Sequence, residues 1–175
     1  IIPDGTNPRI AFGWSGTGFF ITEDGYLLTN HHVIENALRV EILTGNKYYL
    51  AQVVTSSTEN DLALLKVTGQ FQALPIAPSD NITLSDKVFT FGYPGTSEGS
   101  LTYTEGVVSN PSLPIMGKEN IFQITTQSHS GNSGGALVDN YGNVVGVVSS
   151  HLKGPAIQNI NYAVKSNYAL DLIET

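Results

Sequence analysis

Residues 18–29 have the sequence GFFITEDGYLLT, in which an Asp-Gly pair separates two short apolar runs. Such a pair is a strong signal for a β-hairpin, because its residues tolerate the backbone angles of a tight turn. Short apolar runs separated by turn residues recur along the rest of the chain, for example on either side of residues 140–143, NYGN. Many short strands with few helical periods predict an all-β chain, built as an antiparallel sandwich or barrel.

Only two segments have a helical pattern, a short turn at Val33–Ala37 and the C-terminal stretch Ser166–Glu174. Between the two strand-rich halves lies Gln70–Asp86, which contains two prolines and many polar residues. We interpret it as a connection between two half-domains, with an ordinary surface loop as the alternative.

Composition limits the possible functions. The chain has 175 residues, 41% of them hydrophobic, which suits one compact unit with a core of its own. Its formal charge of −7 argues against a nucleic-acid partner, and no apolar stretch is long enough for a membrane span. The lack of cysteine excludes disulfides and Cys-based zinc sites. It fits a cytoplasmic or an exported bacterial protein, and we slightly favour export.

A serine with glycines on both sides is the first candidate for chemistry. Residues 130–135 have the sequence SGNSGG, which suits a sharp turn whose backbone N–H groups point at an attacking oxygen. In that interpretation Ser133 is a nucleophile, and the N–H groups of Gly131 and Ser133 form an oxyanion hole. Turns of this composition are common, so the motif by itself is a weak signal.

Two further motifs supply the partners that a serine nucleophile needs. Residues 29–32, TNHH, end an apolar strand with two histidines, and His is the usual general base near neutral pH. Asp61 precedes the apolar run LALLKV and suits the orientation of an imidazole. Alone, such a histidine is more often structural and such an aspartate more often a cap. Together they give the order His, Asp, Ser, each at a strand border, which is a known arrangement for acyl transfer.

At this point the chain resembles the trypsin-like serine proteases, and within them the bacterial HtrA/Deg branch. The resemblance covers roughly residues 13–165 and lies in SGTGF at 15–19, DGYLLTNHHVI at 24–34, NDLALLKV at 60–67, FGYP at 91–94, GVVS at 106–109, GNSGG at 131–135 and GNVVG at 142–146. It implies one protease domain of two antiparallel six-stranded β-barrels of the chymotrypsin type with a short C-terminal helix. The expected parts are a first barrel at about 10–72, a linker at about 73–86, a second barrel at about 87–165 and the helix at about 166–174.

The resemblance also distinguishes the two histidines. The family's base ends a Thr-x-x-His string before a hydrophobic residue, which implies His32 rather than His31. It further implies that the Ser149 hydroxyl supports Asp61. The catalytic residues expected are therefore His32, Asp61 and Ser133.

The substrate pocket is predicted less sharply than the catalytic residues. The position at its base matches Gln127, which is not an acid and so favours an uncharged residue before the cleaved bond. His129, Ser149 and His151 are further candidates for the pocket lining, with surface-loop histidines as the alternative. No metal or cofactor is expected, because nucleophile, base and oxyanion donors are all protein groups.

The function expected is a serine endopeptidase that cuts protein or peptide substrates through a covalent acyl-enzyme. One alternative is a resting or inactive module with the same fold, in which a loop at Asn110–Asn120 would act as a gate. Another is an esterase that uses the same triad. HtrA relatives often form trimers through N-terminal segments, and an oligomer is possible here without being predicted.

Overall fold

The computed structural model describes residues 15–93, 101–115, 118–127, 131–150 and 161–175. Two groups of strands follow each other along the chain. The first group, with one short helix, consists of β1 (Phe19–Phe20), β2 (Tyr26–Thr29), α1 (His31–Ile34), β3 (Val40–Thr44), β4 (Lys47–Ser57) and β5 (Leu62–Lys66). The second group consists of β6 (Lys87–Gly92), β7 (Thr102–Ile115), β8 (Lys118–Ile124), β9 (Ala136–Val138), β10 (Val144–Ser149), β11 (Asn161–Lys165) and the C-terminal helix α2 (Ser166–Ile173).

The first five strands form an open antiparallel sheet in the order β1-β2-β5-β4-β3. The expected first barrel of six closed strands is therefore not confirmed. The physical reason is that β1, only two residues long, pairs with β2 alone and β3 pairs with β4 alone, so no hydrogen bonds join the two ends of the sheet within the described residues.

The second group closes into a six-stranded barrel in the order β10-β11-β8-β7-β6-β9. Its interior is filled by the fully buried Phe122 together with aliphatic side chains from five other strands, Val88, Val108, Leu137, Val148 and Ala163. This half agrees with the expectation of an antiparallel six-stranded barrel.

The apolar runs in β2, β5 and β10 have no polar alternation, because both faces of these strands are covered. In β2, Leu27 belongs to the core of the first sheet, whereas Leu28 faces a cluster shared with the barrel. In β10, Val145 lies inside the barrel and Val147 lies in the same shared cluster. Successive side chains of a strand point to opposite faces, so a strand between two cores is apolar throughout.

The short helix expected at Val33–Ala37 is present with different bounds. Helix α1 begins at His31, directly after Asn30 in an extended conformation, and it ends at Ile34. The proposed loop at Asn110–Asn120 is mostly strand, because β7 extends to Ile115 and β8 begins at Lys118, with three register shifts between the two strands. These irregularities accommodate Pro111 and Pro114, which cannot donate ladder hydrogen bonds.

The connection between the two sheets is tied to both of them. The Leu74 N–H donates to Phe20 O at 2.8 Å, and the Ala77 N–H donates to Val144 O at 3.0 Å. Helix α2 packs back against this segment, where the Ser166 hydroxyl donates to Ala77 O at 2.6 Å. No helix in the described ranges is long and apolar enough to cross a membrane.

Candidate active site

Asp61 and His32 meet where two neighbouring strands of the first sheet end, because His32 follows β2 and Asp61 precedes β5. The His32 Nδ1 lies 2.9 Å from Asp61 Oδ1 and 2.8 Å from Oδ2, and the His32 backbone N–H donates to Oδ1 at 2.9 Å. An ionised carboxylate can only accept hydrogen bonds, so Nδ1 carries the proton of the neutral ring and Nε2 is the basic nitrogen. This is the tautomer that a general base requires.

The position of Asp61 depends on two buried polar side chains. The Ser149 hydroxyl donates to Asp61 Oδ2 at 2.7 Å, and Asn30 Nδ2 donates to the Asp61 backbone carbonyl at 2.9 Å. Asp61 itself has a φ of 51°, a left-handed conformation that is uncommon outside glycine. The hydrogen bonds to its backbone and side chain hold the carboxylate under the His32 ring.

Burial by itself raises the pKa of the Asp61 carboxyl, since it disfavours the charged form. The hydrogen bonds from the His32 ring, the His32 backbone and Ser149 outweigh this effect, and the pKa lies below its usual value. Asp61 is therefore an anion at neutral pH and stabilises positive charge on the imidazole beside it.

His31 has a different environment from His32. Its Nε2 lies 3.3 Å from the Thr58 hydroxyl. Although the two histidines are adjacent in sequence, the one that contacts the Asp61 carboxylate is His32.

Ser133 lies on a tight turn that enters the barrel before β9, and it is only 4% exposed. Gly131 and Gly134 have φ angles of 100° and 87°, which side chains rarely permit. A Cβ on Gly134 would lie 2.1 Å from the Thr17 carbonyl oxygen, so glycine is required there for space as well as conformation. The glycines of this motif therefore allow the turn to pack directly against the first sheet.

The end of β10 connects Ser133 with the Asp61 pair. Ser149 binds Asp61, and the next residue, Ser150, shares a hydroxyl–hydroxyl hydrogen bond with Ser133 and donates its backbone N–H to Ser133 Oγ at 3.2 Å. Ser150 was not predicted from the sequence, where nothing distinguishes it from other serines near strand ends. In the part of the chain that is described, these are the hydrogen bonds of the Ser133 hydroxyl.

The backbone N–H groups of the turn divide into two sets. Those of Gly134 and Gly135 donate to Val148 O at 2.8 Å and to Asn132 O at 3.0 Å. For the N–H groups of Gly131 and Ser133, no protein acceptor occurs among residues that the structure describes. An oxyanion needs donors of this kind, close together and without a protein acceptor.

Two of the four predicted pocket residues, Gln127 and Ser149, belong to the described part of the chain. Gln127 is exposed, and its carbonyl accepts from the Thr104 hydroxyl at 3.3 Å. His129 and His151 lie outside the described residues. Ser149 is 1% exposed and its hydroxyl is bound to Asp61, which favours the supporting role predicted for it over a place in the pocket lining. Within the described ranges, no cluster of His, Asp and Glu could hold a metal ion.

Comparison with known proteins places this geometry in a family. A model of the trypsin-like peptidase domain matches residues 16–147, which is most of the chain. A probable periplasmic serine endoprotease, DegP-like, from Chlamydia trachomatis is 33% identical over 91% of this chain and 33% of its own length. The periplasmic pH-dependent serine endoprotease DegQ of Escherichia coli is 32% identical over 99% of this chain and 39% of its own length.

Solved structures give the same result. The HtrA-type protease AlgW with a tripeptide has a TM-score of 0.80 and 32% identity, covering 91% of this chain and 54% of that one. The serine endoprotease from Yersinia pestis has a TM-score of 0.77 and 29% identity, covering 91% and 56%. The chain spans less than two fifths of the two curated relatives. It belongs to the trypsin-like peptidase family and is a protease domain of the HtrA type.

Proposed function

We propose that this domain is a serine endopeptidase with His32, Asp61 and Ser133 as its catalytic triad. The observation that carries the proposal is the Asp61–His32 pair, in which a buried carboxylate fixes the imidazole tautomer with a basic Nε2. A glycine-rich turn that presents a serine near this pair supplies the remaining element of acyl transfer.

In the proposed mechanism the Ser133 hydroxyl leaves Ser150 and donates to His32 Nε2. Its oxygen attacks the peptide carbonyl while His32 takes the proton, and the N–H groups of Gly131 and Ser133 stabilise the oxyanion. The imidazolium then protonates the leaving amine as the C–N bond breaks, which leaves an acyl ester on Ser133. Water attacks this ester with His32 again as base, which releases the acid and restores the serine.

The hydrogen bonds between Ser133 and Ser150 are compatible with such a cycle. Catalytic hydrogen bonds are often absent or long before substrate binds, and a serine side chain changes partner by rotation about one bond. The same contacts would also suit a resting domain, in which Ser133 stays with Ser150. This observation makes a resting module the second candidate function.

We further propose peptide substrates and an exported location. Two relatives are named as periplasmic endoproteases, and one similar structure contains a tripeptide. An acidic chain without a cluster of basic residues suits protein substrates rather than nucleic acid.

The test is the intact mass of the domain after incubation with a fluorophosphonate, alongside Ser133→Ala and His32→Ala variants. A single adduct on the wild type that is missing in Ser133→Ala and much slower in His32→Ala is the expected result. Digestion of an unfolded protein and hydrolysis of an activated ester are then measured. A domain that forms the adduct and hydrolyses the ester, but does not digest the protein, would be an esterase. The absence of an adduct would favour the resting module.

A further inference from the structure

Thr17, which lies just before β1, is bound to the nucleophile turn although 114 residues separate it from Gly131. Its side chain is only 6% exposed. The hydroxyl donates to the Gly131 carbonyl at 2.7 Å and accepts from the Tyr93 backbone N–H at 3.0 Å. Because Tyr93 approaches the oxygen as a donor, the single hydroxyl proton is directed to Gly131.

The backbone of Thr17 holds the other end of the same turn. Its N–H donates to the Ser133 carbonyl at 2.8 Å, and its carbonyl accepts from the Thr29 hydroxyl at 2.8 Å. Thr29 ends β2, three residues before His32. Thr17 therefore binds the carbonyls of the two residues that would donate to the oxyanion, and it connects them to the strand end that leads to the base.

A peptide plane next to glycine is not fixed by side-chain sterics. Gly131 has a φ of 100° and lacks a Cβ, so its carbonyl can rotate more freely than that of another residue. A buried hydrogen bond to that carbonyl is a direct means of selecting one orientation. Since the hydroxyl is buried, water cannot readily take its place when it is removed.

We propose that Thr17 is a positioning residue for the oxyanion hole. Its hydroxyl fixes the peptide after Gly131, which joins the two peptides that carry the N–H groups of Gly131 and Ser133. Holding this central peptide limits the rotation of both neighbouring donors relative to each other. This inference rests on the proposed function but concerns a residue outside the triad. Thr17 contacts no reacting atom, so its effect is on the stabilisation of the transition state rather than on proton transfer.

The test compares Thr17→Val, which keeps the shape and removes the hydroxyl, with Thr17→Ser, which keeps the hydroxyl. Loss of one oxyanion donor lowers kcat by about 100- to 1000-fold, and a misplaced turn should cost part of that. We expect Thr17→Val to lower kcat on a peptide substrate by about 10- to 100-fold with little change in KM. Thr17→Ser should remain within about threefold of the wild type, since its donor is retained.

The matched control is Thr90→Val. Thr90 is also a buried threonine, and its hydroxyl is bound to that of Thr104 at 2.6 Å inside the barrel wall. It should lose stability without a selective loss of kcat. Binding of a peptide aldehyde, whose adduct places an oxyanion in the hole, should weaken in Thr17→Val and not in Thr90→Val.

A measurement that does not need turnover separates this inference from the proposed function. Backbone ¹⁵N resonances of Gly131 and Asn132 should shift or broaden in Thr17→Val and stay near wild type in Thr17→Ser. Unchanged resonances, or an active wild type with equal kcat in Thr17→Val and Thr90→Val, would overturn the role of Thr17. If the wild type reacts with neither peptide nor fluorophosphonate, but Thr17→Val still shows the expected resonance changes, only the proposed function is contradicted.

Discussion

Replacement of Ser149 by alanine removes one hydrogen bond from the Asp61 carboxylate and leaves the remaining contacts in place. The lost bond joins the Ser149 hydroxyl to Asp61 Oδ2 at 2.7 Å, and Ser149 is 1% exposed. Asp61 retains its three contacts with His32, one from the backbone N–H and two from the ring nitrogen. Since the site is buried, the vacated volume of one oxygen is too small to let bulk water restore the bond.

The expected size of the effect follows from the charge of the acceptor. A hydrogen bond to a charged group contributes about 1.5 to 3 kcal/mol. If the bond stabilises the anion equally in the resting and transition states, only folding stability changes. Here the bond also fixes the orientation of the carboxylate, because Oδ2 contacts both the Ser149 hydroxyl and His32 Nδ1. A misoriented carboxylate supports the charged imidazole of the proposed mechanism less well, so we expect kcat/KM to fall by about 10- to 100-fold.

The assay is peptide hydrolysis by Ser149→Ala together with chemical denaturation of the same preparation. The control is Ser166→Ala, because Ser166 is also a buried serine and its hydroxyl donates to Ala77 O, which is a neutral acceptor outside the site. Both variants should lose stability, with the smaller loss of about 1 kcal/mol for the neutral pair. Only Ser149→Ala should lose activity.

Equal activity of Ser149→Ala and the wild type would refute this reasoning. It would mean that the contacts from His32 alone are sufficient to hold and ionise Asp61. A parallel fall of activity in Ser166→Ala would also contradict it, because the loss would then follow from general destabilisation and not from the Asp61 carboxylate.

Three further outcomes are expected. Gly134→Ala should prevent fluorophosphonate labelling, since its Cβ would lie 2.1 Å from Thr17 O, whereas Gly142→Ala, with nearly the same φ and no atom within 4 Å, should be labelled normally. Phe122→Ala should cost about 3 to 5 kcal/mol in denaturation because its side chain is fully buried in the barrel. The lowered pKa of Asp61 contributes stability above its unfolded-state pKa that is lost as pH falls through the folded one. The stability difference between wild type and Asp61→Asn, measured by denaturation, should therefore shrink on acidification below about pH 4.

Much of the barrel could be predicted from local patterns. The apolar runs before and after the Asn140–Asn143 turn became β9 and β10, and the helical pattern near the C-terminus became α2. Local patterns do not specify which strands form a sheet edge, however, and the first sheet remains open where a closed first barrel was expected. Domain boundaries stay a prediction.

The site shows the same division between local and long-range information. The motifs of His32, Asp61 and Ser133 are weak signals separately, but their order along the chain and the family resemblance allowed us to name the three residues from the sequence. Thr17 and Ser150 act through hydrogen bonds to residues 114 and 17 positions away. A hydroxyl residue beside a strand is common, and only the three-dimensional pairing distinguishes these two from the others. Asn30 was likewise not identified, although its amide holds the backbone of Asp61.

The two-sided burial of β2 and β5 affects how this domain could be divided. His32 and Asp61 follow and precede strands of the first sheet, whereas Ser133 and Ser149 belong to the barrel, and the shared core of Leu28, Leu64 and Val147 lies between them. If the chain were cut in the exposed part of the connection near residue 81 and the halves were expressed as two polypeptides, neither would contain all three residues of the proposed triad. Their reassociation would bury the shared core and rebuild the catalytic centre in one step, so that proteolysis would act as a reporter of complementation.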